Sequence, residues 1–110
     1  MYTQYNSGDI VEAYPVYGNA CRFFRVRKYV SPKRMTVEEL AIVHGPYEGD
    51  SISGSSTYEL EHPLRVIHLY TATYSVAFGW SVRDGSDENR VCFGDIVNDV
   101  HKHYRQEYYH

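Results

Sequence analysis

The stretch from Tyr70 to Val82, YTATYSVAFGWSV, constrains the fold more than any other part of the chain. Large apolar residues alternate with small or polar ones, and this period of two is typical of a strand with one buried face. At about 3.3 Å per residue the stretch is too long for one straight strand in a small domain. We therefore predict a turn near Thr71–Thr73 or a bend at Gly79. The residues expected to point inward are Tyr70, Ala72, Tyr74, Val76, Phe78, Trp80 and Val82.

Other short runs bounded by Gly, Pro and Ser also predict strands. The segment 45–56 contains several Gly and Ser and predicts a loop. Together the strands predict a strongly twisted antiparallel sheet of five or six strands that is partly barrel-like. The predicted strands are Asp9–Tyr14, Cys21–Val30, Thr57–Glu61, Arg65–Tyr70 and Arg90–Phe93, in addition to the long aromatic stretch.

Two segments predict helices. Thr36 and Glu39 have the spacing of a capping box, which favours a short internal helix from Val37 to about Val43. A strand is the alternative there, because several of its residues are β-branched. Near the end of the chain, apolar residues recur at helical spacing and predict an amphipathic helix from about Ile96 to Tyr108. The expected fold is therefore α+β, in a single domain over residues 1–110.

Length and composition exclude several classes of protein. The chain has 110 residues and no run of 18 apolar residues, so no membrane-spanning helix is expected. Its start lacks a signal peptide, which predicts an intracellular protein if Met1 is native and a secreted one if a signal was removed. Cys21 and Cys92 have no metal-ligand spacing, and they would form either one disulfide or two thiols. No phosphate loop or dinucleotide fingerprint is present, so we expect neither a metal nor a cofactor.

Positive charge is concentrated in residues 22–34, RFFRVRKYVSPKR, although the net charge of the chain is −3. Alternation of arginine with aromatic residues on a strand is typical of proteins that bind single-stranded nucleic acid. The alternative is a solvated strand that pairs with acidic parts of the same chain. Twelve tyrosines add a second candidate surface, because tyrosine serves both strand packing and recognition. The predicted binding residues are Arg22, Phe23, Arg25, Arg27, Tyr29, Lys33 and Arg34, with Arg25, Arg27 and Tyr29 on an exposed face and Phe23 beside them.

The segments HGPYEGD (44–50), YELEHP (58–63) and RVIHLY (65–70) resemble the small fungal ribonucleases of the guanyl-specific and ribotoxin type. That resemblance implies a metal-independent endoribonuclease with His44, Glu61 and Arg65 in the site, and Glu59 competes with Glu61. In such a site a carboxylate takes the 2′-hydroxyl proton, arginine stabilises the phosphate, and histidine protonates the leaving oxygen. The family's second histidine has no counterpart at 80–82, so the resemblance is also compatible with a ribonuclease-like protein that has lost catalysis.

A second resemblance covers residues 78–106, FGWSVRDGSDENRVCFGDIVNDVHKHYRQ. This segment is similar to a fungal domain family of unknown function, in which a Trp-bearing strand and a short strand precede an amphipathic helix. The resemblance implies no activity.

Three hypotheses follow. The first is a non-enzymatic recognition module that binds a protein or RNA partner through a Tyr-rich sheet face and the basic-aromatic strand. The second is a fungal-type ribonuclease or its catalytically inactive relative. The third is an assembly protein that pairs with its own copy through an exposed edge strand.

Overall fold

The computed structural model describes residues 4–17, 21–46, 48–49, 53–85 and 89–109. No α-helix occurs within these ranges, so the expected α+β class is wrong and the protein is all-β. Likewise, no described segment forms a helix long and apolar enough to cross a membrane. The strands are Ile10–Pro15 (β1), Arg22–Ser31 (β2), Arg34–Leu40 (β3), Ile42–His44 (β4), Glu48–Gly49 (β5), Ser53–Leu60 (β6), Val66–Ser75 (β7), Gly79–Arg83 (β8), Arg90–Ile96 (β9) and Tyr104–Tyr109 (β10).

Six strands form a closed barrel in the order β1-β2-β3-β7-β8-β9, and β9 returns to pair with β1. All of these pairings are antiparallel, which confirms the predicted antiparallel, barrel-like sheet. The chain leaves the barrel after β3 and re-enters it with β7. Closure pairs every strand on both sides over part of its length and so removes the open edges of a flat sheet.

The barrel interior is filled by apolar side chains that alternate with outward-facing residues along each strand. Ala72, Trp80 and Val82 are buried, as the alternation predicts. Val76 and Phe78 are 95% and 41% exposed, so their predicted inward orientation is wrong. The chain turns at residues 76–78, just before Gly79, and the turn lifts both side chains away from the core. The buried interior cluster comprises Tyr5, Val11, Ala13, Phe24, Val26, Met35, Val37, Ala72, Trp80, Val82 and Val91.

A second sheet, in the order β10-β6-β4 with β5 also paired to β6, lies outside the barrel path. Its apolar residues pack in a separate buried cluster with barrel residues that point outward from β1, β2 and β3. Phe23, fully buried, lies with its ring centre 6.2 Å from that of Tyr58 and 5.1 Å from that of Tyr104. Burial of a side chain as large as Phe23 stabilises the fold by about 2 kcal/mol. The second sheet therefore covers one side of the barrel.

The predicted internal helix from Val37 to about Val43 is wrong, and the strand alternative is confirmed. These residues belong to β3 and β4, which are joined at Ala41. Met35 and Val37 are buried at strand spacing, and β3 pairs with β2 on one side and β7 on the other. Ladder hydrogen bonds on both sides override the local capping pattern, because tertiary pairing outweighs propensity.

The predicted C-terminal helix from Ile96 to Tyr108 is also wrong. Residues 97–103 form a connection without helix or strand, and β10 then pairs with β6 over six residues, from Tyr104↔Tyr58 to Tyr109↔Ser53. Val97, Val100 and Tyr104 still pack against the second cluster, so the apolar spacing reflects burial without a helix. Of the predicted loop 45–56, residues 45 and 46 are in no strand, as expected, whereas β5 and the start of β6 replace the loop at 48–49 and 53–56. Residues 47 and 50–52 lie outside the described residues.

Candidate nucleic-acid interface

The outer surface of the barrel over β2, β3 and β7 carries a row of basic and hydroxyl side chains. Lys28 on β2 lies opposite Thr36 on β3, and Thr36 lies opposite Thr71 on β7. Thr36 alternates with buried Val37 on β3, and Thr71 precedes buried Ala72 on β7, so this row points away from the core. With Arg27 they line a cleft of about 360 Å³.

A neighbouring cleft of about 530 Å³ lies over β3, β7, β8 and β9. Arg34 lies opposite Thr73 across the β3–β7 pairing, and Arg83 lies opposite Arg90 across the β8–β9 pairing. Thr71 lines both clefts and joins them into one groove. We name this surface the basic outer face and define it by Arg27, Lys28, Arg34, Thr36, Thr71, Thr73, Arg83 and Arg90.

Arg90 is held in place by two contacts. Its Nη1 donates a hydrogen bond to Ser81 Oγ at 2.7 Å. Its guanidinium carbon also lies 4.6 Å from the centre of the Phe78 ring. A guanidinium over an aromatic ring gains cation–π attraction and provides a planar surface for stacking.

Arg22, the first predicted binding residue, belongs to an internal ion-pair network. Its Nε and Nη2 donate to the two carboxylate oxygens of Glu39 at 2.9 and 2.7 Å, and Nη2 also donates to Tyr70 Oη at 3.0 Å. Asp84 lies 3.7 Å from the same nitrogen. The Glu39 carboxylate raises the pKa of Arg22 further above its ordinary value. Arg22 thus links β2, β3, β7 and the end of β8.

The remaining predicted binding residues divide between interior and surface. Phe23 is fully buried, so its predicted place beside an exposed face is wrong. Arg25 Nε donates to Glu38 Oε1 at 3.1 Å. Tyr29 points into the barrel, where its hydroxyl donates to the carbonyl oxygen of Tyr5 at 2.6 Å and its ring contacts Trp80. Arg27 is exposed on the basic outer face.

A β-bulge explains the position of Tyr29. The β2–β3 register shifts between Val26 and Lys28, so the alternation of side chains along β2 changes phase at Arg27. Lys28 therefore faces outward, and Tyr29 faces the core. At the end of β2 the chain turns, and Lys33 and Arg34 are exposed at the edge of the basic outer face.

The residues of the ribonuclease hypothesis lie beside the second sheet. Arg65 donates to Glu61 through two hydrogen bonds of 3.1 Å, and this ion pair holds the pKa of Glu61 below its ordinary value. His44 lies opposite Tyr58 on β6, whereas the Glu61 backbone pairs with Ala41. Ala41 and His44 are three residues apart along the chain, so the backbone positions of Glu61 and His44 are separated by about 10 Å. The structure thus brings Glu61 and Arg65 together and places His44 farther along the sheet.

Sequence reasoning missed six residues of this face, namely Lys28, Thr36, Thr71, Thr73, Arg83 and Arg90. Thr71 and Thr73 fall on the outward parity of the long aromatic stretch, and Arg83 continues that parity just beyond its end. Arg90 follows the turn after β8, and only the β8–β9 register places it opposite Arg83. The convergence of these residues depends on pairing between strands that are distant in sequence.

A third cleft, of about 830 Å³, lies between the end of β9, the following connection and β10, and it has different chemistry. Buried Glu12, with Asp95 and Asp99, lines it. Tyr14 Oη donates to Glu12 Oε2 at 2.5 Å. Burial, reinforced by the Glu12 carboxylate, raises the pKa of Tyr14. Three carboxylates make this cleft unsuitable for a phosphate group.

Neither a cluster of metal ligands nor a disulfide occurs in the described part of the chain. No three His, Cys, Asp or Glu side chains group there in a way that could hold a metal ion. Cys21 and Cys92 are both free thiols, and burial raises the pKa of each.

The fold and this surface define a small all-β protein, in which a six-stranded antiparallel barrel carries a basic outer face. No family model, curated protein or solved structure matches the chain.

Proposed function

We propose that the protein is a non-enzymatic recognition module that binds single-stranded RNA on the basic outer face. One observation supports this proposal most directly. The two clefts that meet at Thr71 contain five basic side chains, and none of the described residues lining them is acidic. The five are Arg27, Lys28, Arg34, Arg83 and Arg90.

The chemistry of this face suits a nucleic-acid backbone. Arginine and lysine neutralise phosphates and release counterions, and threonine hydroxyls donate hydrogen bonds to phosphate or sugar oxygens. Phe78 is 41% exposed at the β7–β8 turn, with the Arg90 guanidinium beside it. Bases of single-stranded RNA stack on aromatic rings and on guanidinium planes. The face therefore offers both phosphate contacts and a stacking surface.

A protein partner on a Tyr-rich sheet face has less support. Tyr29, Tyr70 and Tyr74 pack against the barrel core, so they contribute to the interior more than to a surface. Protein interfaces contain arginine but are depleted of charge at their centres, whereas five basic residues follow one another along this groove. RNA thus fits this surface better than a protein does.

The experiment measures binding of a fluorescently labelled 12-nucleotide RNA by anisotropy over a series of salt concentrations. The double variant Arg27→Ala/Lys28→Ala removes two charges from the face. Arg65→Ala/Lys102→Ala removes the same charge elsewhere and is the matched control. Two lost phosphate contacts reduce the slope of log Kd against log salt by about 1.4 for single strands. Equal affinity and equal slope for the two double variants would refute the proposal.

The same samples test the ribonuclease hypothesis, which remains a prediction. We expect the RNA to be intact on a denaturing gel after prolonged incubation. Cleavage that disappears in Glu61→Gln but persists in Glu59→Gln would replace the binding proposal with an endoribonuclease.

A further inference from the structure

Arg83 and Arg90 occupy directly opposite positions on neighbouring antiparallel strands. Such Cα atoms are about 4.5–5.5 Å apart, so both arginine side chains project from the same outer side of the sheet. Ser81 and Phe78 fix the Arg90 side chain, so at least this guanidinium is already oriented before any ligand arrives.

Arg34 approaches the same cleft from the opposite side. Its strand neighbour is Thr73, which in turn lies opposite Ser81 on β8. Arg34 is thus separated from Arg83 by two strand spacings and two residues, about 12 Å between Cα atoms. Two extended arginine side chains can span that distance and meet above Thr71 and Thr73, which form the floor of the cleft.

We propose that this cleft binds a terminal phosphate monoester, so that the module recognises the phosphorylated end of an RNA strand. An internal phosphodiester carries one negative charge, whereas a monoester carries about −1.5 to −2 at neutral pH and has three acceptor oxygens. Three guanidiniums line the cleft, and their planar forks of N–H donors suit the three acceptor oxygens of a monoester better than the two free oxygens of a diester. This inference rests on the proposed function, because it assigns the end of the same RNA to one part of the basic outer face.

The first experiment compares three versions of one 12-nucleotide RNA: with a 5′-phosphate, with a 3′-phosphate and with hydroxyls at both ends. Wild-type protein is expected to bind one phosphorylated version about tenfold more tightly than the hydroxyl version, since a hydrogen bond between charged groups contributes that much. The two phosphorylated arms identify which end is bound. The preference should shrink as pH falls from 7.5 to 5, because the second pKa of a phosphate monoester is about 6.

The variant Arg83→Gln should abolish the preference for the phosphorylated end. Because Arg83 belongs to the basic outer face, both RNA versions should bind more weakly, so the measured quantity is the ratio of their two affinities. Arg65→Gln is the matched control and should keep the preference. Arg83 is exposed, and thermal melting followed by circular dichroism verifies that the variant is folded. Arg34→Gln provides an independent variant on the other wall of the cleft.

A titration with inorganic phosphate separates the two proposals. NMR shifts at the amides of Thr71 and Thr73 that are present in wild type and absent in Arg83→Gln support the phosphate subsite. RNA binding with equal affinity for all three ends would overturn this inference and leave the proposed function intact. Amide shifts caused by inorganic phosphate, together with no binding of RNA, would overturn the proposed function and leave only a site for free phosphate. Absence of both signals would overturn both.

Discussion

Replacement of Arg22 by methionine tests how much the ion-pair network of this residue stabilises the fold. The Arg22 guanidinium contacts Glu39 on β3, Tyr70 on β7 and Asp84 just after β8. Methionine keeps most of the apolar volume of the side chain over Phe24 and removes the charge. The change therefore isolates the ion pair from the packing.

The expected loss of stability lies between two limits. Exposed ion pairs contribute about 0–1 kcal/mol, whereas removal of one partner of a buried pair costs about 3–5 kcal/mol. The Arg22 and Glu39 side chains are 23% and 12% exposed, nearer the buried limit, and the variant leaves the Glu39 carboxylate without its bidentate donor. We expect a loss of about 2–3 kcal/mol, a large part of the total stability of a small domain.

Urea unfolding monitored by fluorescence of Trp80, the single tryptophan and a core residue, measures this loss. With a slope of about 1.5 kcal/mol per molar urea, the midpoint should fall by about 1.5 M. The double variant Arg22→Met/Glu39→Gln should lose less than the sum of the two single variants, since it buries no unpaired charge. Additive losses, or a loss below about 0.5 kcal/mol for Arg22→Met, would show that the network does not stabilise the barrel.

Three further outcomes are expected. The pKa values of Tyr14, Tyr58 and Tyr104 are raised in the folded state. Their contribution to the free energy of unfolding should therefore be complete below about pH 10, the pKa of tyrosine in the unfolded chain, and should fall as pH rises above it. Absorbance at 295 nm and circular dichroism should then show ionisation and unfolding together. The Cys21 thiol, buried and with a raised pKa, should react with a thiol reagent at pH 7 much more slowly in folded than in urea-unfolded protein. Gly79→Ala should cost about 1 kcal/mol in urea unfolding, because φ at Gly79 is +66°.

Local patterns predicted the strands well and failed where distant pairing decides the conformation. The alternation around Ala72 and Trp80 predicted the buried side of β7 and β8, because that pattern lies within one stretch of sequence. The capping-box pattern at Thr36 predicted a helix, yet β3 gains ladder hydrogen bonds from β2 and from β7, which begins 26 residues after β3 ends. No window of sequence contains both partners, so the pattern could not reveal them.

The candidate site, too, could be predicted only where the local sequence decides the position of a residue. The basic segment 22–34 supplied Arg27 and Arg34, but a bulge near Arg27 turned Tyr29 inward, and the pairing of Arg22 with Glu39 removed that residue from the surface. Charge density along the chain is visible in a sequence. The side of a strand on which each charge emerges depends on register, which a single shifted residue reverses.

The position of β10 has a consequence for the order in which the molecule is assembled during synthesis. All six barrel strands, and with them every residue of the basic outer face, are complete once translation has passed Ile96. Strand β6 is made much earlier than its partner β10, which follows all six barrel strands in the chain. The barrel strands and the basic outer face therefore emerge before β10, and until β10 follows, β6 has an unpaired border to which a misplaced strand could attach.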